Sequence, residues 1–67
     1  MILLNGRHSE LTEGESVLAA LGHLGLEADA RGVAVAVDGE VIPRARWESV
    51  PLRDGARVEV LTAMQGG

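Results

Sequence analysis

The sequence predicts an α+β domain, a mixed sheet of about five strands packed on one short helix. Three observations carry this expectation. Asn5-Gly6 and Asp38-Gly39 each follow an apolar run, and both are two-residue turns whose twist suits a tight hairpin. Valine alternates with alanine over residues 33–37, and Val58 and Val60 alternate with Arg57, Glu59 and Leu61; this is the period of a strand with one buried face. Between the hairpins stands a single stretch with helical spacing, "SVLAALGHLG".

Taken in order, residues 1–4 are apolar throughout and form the first strand. Asn5-Gly6 turns the chain, and residues 7–11 return with few apolar side chains, which places them at a sheet edge. After the polar connection "TEGE", Ser16 is positioned as a helix N-cap, without the Glu or Gln three residues on that would complete a capping box. Val17, Leu18, Leu21 and Leu24 then share one helical face, His23 faces solvent, and Gly25 supplies the stop. About two turns of helix cannot persist alone and must pack on the sheet. The second hairpin follows, with Val33, Val35 and Val37 towards the core and Ala34 and Ala36 leaving the other face apolar but shallow. Pro43 ends the returning strand because it has no N–H for the ladder. Residues 44–55 are irregular, anchored by Trp47, Val50 and Leu52 and turned by Asp54-Gly55 before the last strand. One helix covers one sheet face and leaves the other partly wet. The resulting ββαββ order is the β-grasp arrangement of ubiquitin-like proteins. The expected division is a β-grasp domain over residues 1–62 and a flexible tail over 63–67 ending in Gly-Gly.

Composition narrows the function. The chain of 67 residues lies near the lower limit for independent folding, and with no cysteine it has neither disulfides nor thiolate ligands to reinforce it. The net charge is −4, and all six cations are arginines scattered along the chain. Nucleic-acid binding needs clustered positive charge, so no nucleic-acid partner is expected; a basic protein surface suits the chain better. No apolar run has the length of a membrane helix, and "MILL" lacks the features of a signal peptide, which predicts a soluble cytoplasmic protein with no membrane contact. The absence of lysine removes any side-chain amine for Schiff-base or isopeptide chemistry.

Few side chains offer chemistry. His8 and His23 have no nucleophile or carboxylate at an informative spacing, and Glu10, Glu13, Glu15, Glu27 and Asp29 read as a solvated face. Gly6, Gly14, Gly39 and Gly55 belong to turns, and no phosphate-binding motif is present, so neither a bound cofactor, a metal nor an ATP site is expected. Trp47 reads as a core or rim anchor. What remains is the sequence end, "LTAMQGG". A carboxylate on Gly67 is ionised at neutral pH and can attack an activated phosphate. Gly66 and Gly67 lack Cβ atoms and fit a narrow channel, with Gln65 and Met64 entering behind them. Ala34, Ala36 and Leu61 form a candidate docking surface for partners, beside Met64.

These pieces resemble the sulfur carrier proteins of thiamin thiazole biosynthesis, the ThiS family. The opening "ILLNG", the central stretch from Val37 to Trp47, "VDGEVIPRARW", the later "DGARVEV" and the Gly-Gly end carry the resemblance over nearly the whole chain. Asp38 stands where Asn is commoner in that stretch, a change that keeps the turn. The resemblance implies a carrier rather than an enzyme. An E1-like adenylating enzyme, using ATP and Mg, would attach AMP to Gly67; sulfur from a donor such as a cysteine desulfurase would then convert it to a thiocarboxylate. A thiazole synthase would accept that sulfur. Three alternatives stay open at the level of sequence: a sulfur carrier for tRNA thiolation or molybdopterin synthesis, a ubiquitin-like protein modifier, and a plain interaction domain.

Overall fold

Both glycine-containing hairpin turns form as the sequence predicts, and they organise the sheet. Asn5 and Asp38 adopt φ of 53° and 52°, and the glycines after them 80° and 86°, the left-handed pair that a two-residue hairpin requires. The computed structural model describes residues 1–63; the expectations placed on Met64, Gln65, Gly66 and Gly67 lie outside the described residues. The elements are β1 (Leu3–Leu4), β2 (Arg7–His8), α1 (Val17–His23), β3 (Val33–Val37), β4 (Glu40–Ile42), a 3₁₀ turn at Arg44–Arg46, and β5 (Arg57–Thr62). They form a five-stranded sheet in the order β2-β1-β5-β3-β4. β5 runs parallel to β1 and antiparallel to β3, so the sheet is mixed and its last strand in sequence is its central one.

The two turn residues also grip β5. The Val60 N–H donates to Asn5 Oδ1 at 2.8 Å, and the Arg57 N–H donates to Asp38 Oδ1 at 2.9 Å. Asn and Asp therefore do more than tolerate the left-handed conformation. Each satisfies a backbone donor of the central strand, one from either side.

The core lies between one sheet face and α1. The helix contributes Val17, Ala20 and Leu21, and the sheet contributes Leu4, Val35, Val58 and Val60, all buried. Trp47 and Leu52 close the open side from the irregular segment. No polar or charged residue is buried among the described residues, so the core is apolar and stabilises through area and packing alone. Ser16 caps α1 as expected, its Oγ accepting from the Ala19 N–H at 3.3 Å. The earlier donors are satisfied from afar: Val17 N–H donates to the Val50 carbonyl and Leu18 N–H to that of Trp47. At the other end Gly25 (φ 77°) and Leu26 donate to the carbonyls of Gly22 and Leu21, the paired bonds of a Schellman stop.

Two expectations need correcting. Leu24 does not join the helical face: the Gly25 stop ends the helix at His23, so Leu24 leaves the helical period and is 41% exposed, while Ala20 takes the core position. The return strand does not extend to residue 11. It pairs only over Arg7–His8, because Ser9 turns the chain inward and Leu11 is buried. Ser9 makes that turn with both its N–H and its hydroxyl donating to the Ile2 carbonyl. Just before the helix, Glu15 accepts from the Thr12 N–H (2.6 Å) and then from its hydroxyl (3.1 Å), which holds the Glu15 carboxyl below the ordinary glutamate range. That contact is complete above the ordinary glutamate pKa and is lost as pH falls through the lowered value.

Candidate functional site: the open sheet face and the root of the chain end

The face of the sheet turned away from α1 is uncovered, and the register decides what it presents. Ala34 stands opposite Leu61, and Ala36 lies between Glu59 on β5 and Val41 on β4. Leu61 and Val41 are each 70% exposed, the most exposed large apolar side chains of the described residues. With Ala34 exposed and Ala36 half-buried they make one continuous, shallow apolar patch. The three residues proposed from sequence as a docking surface, Ala34, Ala36 and Leu61, therefore come together. Val41 belongs with them and was missed, because its place depends on the Ala36–Val41 register and not on any local pattern. Arg57 and Glu59 continue the same face of β5 towards the two hairpin turns, where Leu3, Gly6, Asp38 and Gly39 line a shallow depression. Leu61 and Ala34 lie at the opposite end of β5, from which the chain leaves the sheet, and Ala36 and Val41 run back towards the Asp38-Gly39 turn.

That exit is held against the segment before β3. The Ala63 N–H donates to the Gly32 carbonyl at 2.6 Å, one residue beyond β5. Gly32 has φ 69°, and a Cβ built on it stands 3.2 Å from the Ala63 Cβ, so the two segments touch where only glycine fits comfortably. The loop before Gly32 is fixed in turn by Arg44, whose Nη1 and Nη2 donate to the carbonyls of Ala28 and Ala30. The guanidinium also stacks on Trp47, 4.4 Å from the ring centre, and Trp47 Nε1 donates to the Ile42 carbonyl at 2.8 Å. The "PRARW" stretch thus has a structural explanation: Pro43 ends β4, and Arg44 and Trp47 meet one 3₁₀ turn apart.

His8 and His23 are both exposed and border one open depression with Arg7 and Glu10. Among the described residues, no group of three or more His, Cys, Asp or Glu side chains could hold a metal ion. No helix among them is long and apolar enough to cross a membrane.

A five-stranded mixed sheet on one helix, with its central strand leading out beside a bare apolar face, defines a ubiquitin-like β-grasp domain. Comparison narrows this class. The model of the ThiS family matches residues 2–67. The sulfur carrier protein ThiS of Thermus thermophilus is 40% identical over 67 residues, 100% of both chains. A thiazole synthase of Paramagnetospirillum magneticum is 32% identical over 66 residues, covering 98% of this chain but only 20% of that protein. The crystal structure of a thiamine biosynthesis protein (ThiS) from Geobacter metallireducens superposes with a TM-score of 0.73 at 32% identity, covering 98% of this chain and 97% of that one. The solution structure of a thiamine biosynthesis protein from the same organism gives 0.75 at 30% identity, with coverages of 98% and 86%. The chain belongs to the ThiS family.

Proposed function

We propose that this protein carries sulfur for construction of the thiazole of thiamin, on the carboxyl group of Gly67. The observation that supports this most is the extent of the family match, which runs from residue 2 through Gly66 and Gly67. The carboxylate attacks the α-phosphate of ATP, with its Mg, on an E1-like adenylating enzyme; pyrophosphate leaves and an acyl adenylate forms. A persulfide of a cysteine desulfurase then attacks the acyl carbon, AMP departs with the C–O electron pair, and an acyl disulfide remains. A thiol reductant supplies two electrons to cleave its S–S bond, which leaves the thiocarboxylate on Gly67 and a thiol on the desulfurase. Every catalytic group in this sequence belongs to a partner, so the carrier's own task is presentation.

Thiazole synthase is the proposed acceptor. The relative of that name contains a region like this chain within a longer polypeptide, as expected for two units that work together. Ala34, Ala36, Val41 and Leu61 are the proposed docking surface, and Gly66, Gln65 and Met64 follow the reacting carboxyl into the partner's site. Without a Cβ, Gly66 and Gly67 pass where a side chain would collide. The first step tests this reading. With the adenylating enzyme and ATP, the full chain should drive pyrophosphate release, and a chain lacking Gly67 should release none above background. Equal release from both chains would remove Gly67 from the reaction.

A further inference from the structure

We propose that Arg44 is a positioning residue that sets where the chain leaves the sheet. Three contacts connect it to that point. Its two terminal nitrogens tie down the carbonyls of Ala28 and Ala30, its guanidinium plane rests on the buried Trp47, and the loop so fixed ends at Gly32. The Gly32 carbonyl accepts from the Ala63 N–H, and no Cβ separates the two backbones. From the other side of the strand, Asn5 grips β5 at Val60, three residues earlier.

The chemistry of the contacts makes Arg44 hard to replace. Two carbonyls two residues apart are met by a planar fork, and the same plane stacks on the indole; a lysine ammonium is a point charge that does neither. Arg44 is exposed and lies outside the apolar core, so its role is not to fill volume. The loop over residues 27–32 carries no strand or helix of its own, and its Ala30 N–H bond to the Glu27 carbonyl is a single turn. Without the guanidinium, residues 28–30 lose that tie, and Gly32 is held only through its neighbour Val33, paired with Thr62.

The consequence for function rests on the reading of Gly67 as the reacting end. A carrier whose exit point is fixed delivers its last residues along a defined line, and a loosened one must be ordered again at each encounter. Backbone order of the full chain by ¹⁵N relaxation tests the positioning directly. In Arg44→Ala the Ala63 order parameter should fall from the rigid range, near 0.85, to below about 0.6, together with residues 28–32, while Val58 and Val60 stay rigid. Arg44→Lys should behave like alanine. Gly32→Ala leaves Arg44 intact yet forces a methyl against Ala63, and should loosen Ala63 in the same way. With the adenylating enzyme, kcat/KM for Arg44→Ala should fall roughly tenfold, carried by KM rather than kcat. An unchanged Ala63 order parameter in Arg44→Ala, or a uniform loss of order through β5, overturns the proposal. So does a loosened Ala63 with unaltered kcat/KM. If the unaltered protein is not adenylated at all, the function of Gly67 fails separately, and the relaxation data still decide the role of Arg44.

Discussion

Trp47→Ala is expected to leave the chain largely unfolded at 25 °C. Trp47 is 3% exposed, packs into the single core, and donates its indole N–H to the Ile42 carbonyl. Removing a buried tryptophan costs about 3–5 kcal/mol. A core of this size supplies only about 3–5 kcal/mol in total, so the loss is of the order of the whole stability. The effect extends to the helix, because the Trp47 carbonyl accepts from the Leu18 N–H and a collapsed segment would abandon that donor. Trp47→Phe keeps most of the volume and loses one hydrogen bond, worth about 1 kcal/mol, and should remain folded with a lower denaturation midpoint. Far-UV circular dichroism through a urea titration measures both. A midpoint for Trp47→Ala equal to that of the unaltered protein would contradict the place given to Trp47 in the core.

Leu61→Arg is expected to do the reverse, leaving the fold intact and disabling recognition. Leu61 is 70% exposed on β5, opposite Ala34, and its side chain makes no part of the buried core. Substitutions at such surface positions change stability by about 0.5 kcal/mol or less. Within the proposed docking patch, however, a charge in place of an apolar side chain costs about 1.4–2.8 kcal/mol of association, or roughly 10–100-fold. We expect kcat/KM with the adenylating enzyme to fall by that factor while thermal unfolding is unmoved. An unchanged kcat/KM would remove this face from the interaction with that enzyme, and Val41→Arg tested alongside would show whether the patch acts as a unit.

Local chemistry made most of the fold legible. Asn5-Gly6 and Asp38-Gly39 declare their hairpins because few other pairs adopt two successive left-handed conformations. Ser16 and Gly25 mark the helix ends by bonds made within three to five residues. The alternation in β3 and β5 reveals the buried face and therefore the open one. Apart from Leu24, which the adjacent Gly25 stop removes from the helical face, the misses depend on partners further away in sequence. Leu11 leaves the strand for a place in the core, and the helix N-terminus is completed by carbonyls about thirty residues on, which no local signal announces. Val41 joins the patch only through its pairing with Ala36, and Arg44 finds its carbonyl partners 14 and 16 residues back. The "PRARW" stretch was visible as a family mark, but its sequence does not say what the arginine holds.

The proposed carrier role turns on a single atom of Gly67. Intact mass spectrometry of the full chain, after incubation with the adenylating enzyme, ATP, a cysteine desulfurase, cysteine and a thiol reductant, tests it most directly. Exchange of one carboxyl oxygen for sulfur adds about 16 Da, and fragmentation should assign the added mass to Gly67. A chain lacking Gly67 should keep its mass. No gain in the full chain, with an enzyme competent on another member of the family, would contradict the account, as would a gain that fragmentation places anywhere else.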